Sequence, residues 1–218
     1  MDGGASRLDG WLPPIYIFTG QPGEGKTSFL LTVLGILEEK GLNIRGIAAP
    51  GHVRDGIRSG FSIIDLSTGA FCELASIVPS PESSRYGHFY FRPEGLLFGQ
   101  RALSFPVPET TDLFVVDEVG LFELRGKIWA QYLDRIFEFR YPPMIWTVRH
   151  SLLDQVIARW RMERPVVVDI NLADPLAVVH NLLHEVGIFR MENPDVKKVI
   201  SAHPVSRNAR SSSGSERR

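Results

Sequence analysis

A single cysteine, Cys72, stands among the 218 residues. One cysteine excludes an internal disulfide and a thiolate metal site, and it points to a reducing compartment, the cytosol. Cys72 itself reads as filler of a core or a sheet. No apolar run approaches the roughly 20 residues that a bilayer crossing needs. The opening stretch, Met1–Trp11, carries Asp2 and Asp9 where a signal peptide would have a basic start and an apolar run. A soluble, cytoplasmic protein without membrane insertion is expected. Charge of one sign is lacking as well: 24 Lys and Arg face 25 Asp and Glu, for a net charge of −1. There is no global basic field, so no nucleic-acid partner is expected, and charged ligands must be held by local groups. What the chain does have is a 44% hydrophobic content, enough for one sizeable α/β domain at this length.

The run Ile15-Tyr16-Ile17-Phe18, between Pro13-Pro14 and a glycine-rich turn, has the pattern of a buried parallel strand. Phe29, Leu30, Val33, Leu34 and Leu37 then recur at helical spacing up to Lys40-Gly41. Strand, glycine turn and helix open a βαβ unit. A second strand is expected over 44–48, then a loop over 51–60. Runs at 61–66 and 71–74 flank Ser67-Thr68-Gly69-Ala70 as a hairpin, 79–87 is loop-like, and 86–91 forms a further short strand. From Leu113 the alternation resumes, with strands at 113–116, 144–148 and 166–170 and helices around 128–137, 152–160 and 175–186. This order predicts one α/β domain over 12–200, a mostly parallel sheet with helices on both faces, and a β-hairpin insertion at about 51–91. Residues 1–11 are expected to be a flexible N-terminus. Residues 204–218 are expected to be a disordered tail, whose arginines either stay solvated or touch acidic partners.

The residues that carry chemistry begin with Gly20-Gln21-Pro22-Gly23-Glu24-Gly25-Lys26-Thr27, followed by Ser28. Two glycines four residues apart, then Lys and a hydroxyl residue, form the phosphate-binding loop pattern. The glycines let backbone N–H groups turn toward phosphate oxygens, and the helix N-terminus favours the anion. Lys26 would bridge the β- and γ-phosphates, and the Thr27 hydroxyl would ligate Mg²⁺. ATP or another nucleoside triphosphate is the implied ligand. Asp117-Glu118 ends the apolar run 113–116, where a carboxylate can hold Mg²⁺ (Asp117) and its neighbour can orient or deprotonate water (Glu118). Arg54, Arg58 and Arg149 are candidate cations for the transferred phosphoryl group, or else solvated or ion-paired arginines. His150 either contacts nucleotide or caps the following helix. His52 and His88 have no metal-ligand spacing with a partner, and Trp11, Trp129, Trp146 and Trp160 read as packing residues.

Three stretches together resemble the nucleoside-triphosphatase family that includes the thermophile nucleotide phosphatase and the human cancer-related nucleoside triphosphatase. They are 20–28; Val53-Arg54-Asp55-Gly56 with Arg58-Ser59-Gly60-Phe61; and Asp117-Glu118-Val119-Gly120 leading to Phe122-Glu123-Leu124. The chain departs from the family pattern at His52, where a glutamate is usual, and at Arg149-His150, where the order is reversed. The resemblance implies a RecA/ASCE-like core in which Glu118 is the general base. It also implies Mg²⁺-dependent hydrolysis of nucleoside triphosphates with loose base selectivity. Two alternatives stay open from the sequence: a slow, partner-regulated nucleotide switch, and a P-loop small-molecule kinase.

Overall fold

The computed structural model describes residues 13–104, 110–139 and 142–192. The expectations for 1–11 and for 204–218 lie outside the described residues. The chain runs through β1 (Ile15–Gly20), α1 (Lys26–Glu39), β2 (Ile44–Ala48), β3 (Gly51–Arg54), β4 (Ile57–Asp65), β5 (Phe71–Ser76), β6 (Ser84–Tyr86) and β7 (Phe89–Phe91). It continues with α2 (Pro93–Ala102), β8 (Leu113–Val119), α3 (Leu121–Leu124), α4 (Ala130–Phe139) and β9 (Met144–Arg149). A 3₁₀ turn over His150–Leu152 leads into α5 (Leu153–Arg159), β10 (Val166–Asp169) and α6 (Pro175–Glu192).

The strands form one sheet in the order β10-β1-β9-β8-β2-β4-β5-β7-β6, with β3 paired to β4. The stretch from β10 to β2 is parallel throughout. From β2 outward every pairing is antiparallel, so the insertion extends the same sheet as a wing. Strands of the parallel half are buried on both faces. On β1, Ile15 and Ile17 face one core cluster while Tyr16 and Phe18 face the other, the period-2 signature of a strand covered above and below. The first cluster is closed by Leu133 and Ile136 of α4 and Val156 of α5. The second is closed by Leu30, Val33, Leu34 and Leu37 of α1 with Val178, Val179, Leu182 and Val186 of α6. Each such fully buried aliphatic side chain contributes about 1.5–3 kcal/mol.

Two local choices position the sheet ends. Gly46 on β2 has φ of +111°, and a Cβ there would lie 1.9 Å from the Val115 carbonyl oxygen, so only glycine lets β2 lie against β8. The stretch 51–60, expected as a loop, is instead a hairpin. Asp55 and Gly56 carry φ of 52° and 76° and link Arg54 to Ile57, as the mirror-image two-residue turn requires. The Asp-Gly pair was the available signal. A second departure is α2, a helix absent from the sequence expectation. It starts with Pro93 at its first position, has Glu94 in the first turn and Arg101 in the last, and lays Gly95 and Gly99 against β5 and Trp129.

Candidate functional site: a phosphate-type loop facing a carboxylate pair

The loop 20–27 joins the C-terminal end of β1 to the start of α1. Gly23 and Gly25 hold φ of 85° and 93°, the left-handed conformations that turn N–H groups inward. Lys26 is buried, and its Nζ donates to the carbonyls of Gly20 (3.1 Å) and Gln21 (2.9 Å). Burial pulls its pKa below the usual lysine value, a tendency opposed by the facing Glu118. The loop is braced from the next strand: Glu24 Oε2 accepts from the Gln21 N–H (2.6 Å) and from Asn171 Nδ2 (2.8 Å), just beyond β10.

Asp117 and Glu118 sit near the C-terminal end of β8, and the backbone between them breaks register. Val116 pairs with Trp146 and Val119 with Val148, so Asp117 and Glu118 together oppose the single Thr147 of β9. This is a β-bulge, and Glu118 takes φ of 63°, a strained value for a residue with a Cβ. Thr147 repairs the ladder with its side chain. Its Oγ1 accepts from the Glu118 N–H (2.7 Å) and donates to Asp117 Oδ1. Asp117 Oδ2 accepts from the Ala49 N–H at the end of β2 (2.9 Å). Asp117 is fully buried, and among the described residues it makes no ion pair. A buried carboxylate left without a cation, with a hydroxyl at Thr27 in the first turn of α1, is an oxygen donor set that fits Mg²⁺. Among the described residues no group of three or more His, Cys, Asp or Glu gathers as a metal cage.

The bulge turns the Glu118 carboxylate between two arginines. Arg58 Nη1 on β4 lies 3.9 Å from Oε1, and Arg149 Nη2 lies 3.8 Å from Oε2. Arg149 ends β9 directly opposite Gly20 in the β1–β9 ladder, which puts it beside the loop. Both contacts are long and partly solvated, so the guanidiniums are weakly committed to Glu118. Burial, and next the Asp117 charge, push the Glu118 carboxyl above the ordinary carboxylate range, with Arg149, Lys26 and Arg58 pulling the other way. Arg54, by contrast, is exposed beside the hairpin turn, and among the described residues it makes no ion pair. His150 opens the 3₁₀ turn without a side-chain capping bond. Trp129, Trp146 and Trp160 are core residues, and Trp11 lies outside the described residues.

A profile of the family described as NTPase matches residues 15–180. The chain belongs to this NTPase family. Among its relatives, the nucleoside-triphosphatase THEP1 of Methanopyrus kandleri is 35% identical over 159 residues, covering 72% of this chain and 85% of the relative. The THEP1 of Archaeoglobus fulgidus is 32% identical over 142 residues, covering 63% and 81%. In fold, the solution structure of a human cancer-related nucleoside triphosphatase aligns with TM-score 0.54 at 18% identity, over 88% of this chain and 99% of that one. The crystal structure of THEP1 from Aquifex aeolicus aligns with TM-score 0.59 at 19% identity, over 77% and 96%. These structures share the α/β P-loop fold with the sheet described above.

Three residues of this NTPase-family site were not singled out from the sequence. Thr147 lies mid-strand in an apolar run, where only the bulge opposite gives its hydroxyl a task. Asn171 reaches the loop from 147 residues away in sequence. Glu123 was quoted only within the family motif. It is buried, its Oε2 accepts from the Gly120 N–H (2.9 Å), and burial pushes its pKa up to about 7. The Glu three residues after Gly120 is the capping-box spacing, a signal that was available.

Proposed function

We propose that the chain is a Mg²⁺-dependent, cytoplasmic nucleoside triphosphatase that cleaves NTP to NDP and phosphate with loose base selectivity. The observation that carries this reading is the bulge at Asp117-Glu118, which aims a carboxylate at the space in front of the loop and sets two arginines beside it. Gly20 to Ser28 would bind the triphosphate through backbone N–H groups, with Lys26 moving from the Gly20 and Gln21 carbonyls onto phosphate oxygens. Thr27 and Asp117 would hold Mg²⁺, which when bound neutralises charge on the phosphates. Glu118 takes a proton from water as the water oxygen attacks the terminal phosphorus. Arg149, and Arg58 beside it, can leave their long contacts with Glu118 and offset the charge that builds on the phosphoryl oxygens. A loop that reads only phosphates, with no base-reading motif in the chain, supports loose selectivity.

The test is phosphate release from ATP, GTP, CTP and UTP, with nucleotide affinity measured in parallel. Glu118→Gln is expected to bind nucleotide at near wild-type affinity while turnover falls on the order of 10²–10⁴-fold. Lys26→Ala is expected to lose both. Wild-type turnover in Glu118→Gln would overturn the assignment of the base.

A further inference from the structure

Behind Glu118 lies a cavity of about 360 Å³ that the hydrolytic reading does not use. None of the residues 20–27 lines it, so it is separate from the phosphate loop, yet Glu118, Gly120 and Arg149 form one of its walls. Its remaining walls are aromatic: Phe61, Tyr86, Phe89, Phe91, Phe122 and Trp129. Several of these rings lock edge to face, Phe61 on Phe89 at 4.9 Å and Tyr86 on Phe122 at 5.3 Å, so the walls are fixed. Leu74 and Trp129 are buried at the floor, while His88, Leu121 and Arg125 are exposed at the mouth. Buried among the rings is Glu123, whose carboxyl, with a pKa of about 7, can both donate and accept hydrogen bonds at neutral pH. The cavity falls within the size range that encloses drug-sized ligands, and it pairs an apolar lining with a few convergent polar groups.

We propose that this cavity binds a nucleoside, stacking its base between the aromatic walls and presenting a sugar hydroxyl to Glu118 as a phosphoryl acceptor. Flat rings suit the stacked lining, and a heteroaromatic edge with donors and acceptors suits Glu123 and Arg125. An alcohol suits Glu118, because the carboxylate that takes a proton from water can take one from a hydroxyl in the same place. In that step the hydroxyl oxygen forms a bond to the γ-phosphorus and the bond from that phosphorus to the β–γ bridging oxygen breaks. The hydroxyl proton passes to Glu118, and the products are a nucleoside monophosphate and NDP. The inference rests on Glu118 as the base and adds a second substrate to it.

The experiment uses the full chain with Mg²⁺, γ-labelled ATP, and adenosine, guanosine, cytidine, uridine and thymidine as probes. Nucleoside binding is measured by calorimetry in the presence of a non-hydrolysable ATP analogue, and label transfer is followed by chromatography. At least one nucleoside is expected to bind, to become labelled, and to lower free phosphate release in proportion. Leu121→Trp, at a position 45% exposed and therefore tolerant of a larger side chain, should narrow the mouth. It is expected to weaken nucleoside binding at least tenfold while phosphate release without nucleoside stays within twofold. Phe89→Ala, which opens the wall, should weaken binding as well. Absence of binding by all five nucleosides, binding without transfer, or transfer unchanged in both variants would overturn the proposal. A loss of phosphate release in Glu118→Gln alongside such a result would leave the hydrolytic reading standing. Phosphate release that survives Glu118→Gln overturns that reading whatever the nucleosides do.

Discussion

Glu118 serves as a base only when ionised, and its surroundings oppose ionisation: burial and Asp117 raise its pKa, and Arg149 is the first of the cations that lower it. Turnover is therefore expected to rise with pH along a limb lying above the ordinary carboxylate range, and to fall as pH drops through it. Arg149→Met removes the strongest counterweight. It should move that limb to higher pH and lower the plateau on the order of 10²-fold, as measured by kcat against pH. Glu123 makes the corresponding statement about stability. Its folded pKa of about 7 exceeds the ordinary 4.5, so the folded state holds the proton more tightly. Stability from this group is complete below 4.5, is lost as pH rises toward 7, and is flat above. That change amounts to about 3 kcal/mol in the wild type. Glu123→Gln keeps an acceptor for the Gly120 N–H and should abolish the decline, which urea titrations at pH 5 and pH 8 would show.

At the scale of elements, the bulge on β8 depends on one hydroxyl from β9. Thr147→Val conserves shape and removes both the acceptor for the Glu118 N–H and the donor to buried Asp117. It should cost about 1–3 kcal/mol in denaturant unfolding and lower kcat more than nucleotide affinity. The phosphate loop was legible because its glycines, lysine and hydroxyl are spaced by local backbone demands, and the strands β1, β8 and β9 were legible because both faces are apolar. The bulge was not: a glutamate with positive φ is held there by contacts with another strand, and nothing in Val115-Val116-Asp117-Glu118-Val119 announces it. The hairpin at Asp55-Gly56 and the Pro-led start of α2 carried local signals. Their flanks, the exposed β3 and the two helix glycines, lack the hydrophobic periodicity that would have marked them as elements.

For the whole molecule, the long α6 is fastened to the start of β8 by Arg190. Its Nε and Nη2 each reach Asp112 at 2.6 Å, and Asp112, fully buried, also accepts from the Asn43 N–H at 2.8 Å. Arg190→Met leaves that carboxylate buried without its cation and should destabilise the fold by about 3 kcal/mol or more, lowering Tm by several degrees, with catalysis at low temperature little changed. The sheet order carries the last consequence. The loop stands on β1 and the Asp117-Glu118 pair on β8, with β9 between them. Adjacent strands are spaced about 4.8 Å apart, so the two tips stand roughly 10 Å apart. That interval works as a ruler laid across the sheet: a diphosphate gripped at the β1 end stops short of the far mark, and only a third phosphate bridges the span. Discrimination between the spent and the unspent nucleotide is thus written into the strand sequence itself, before any side chain selects.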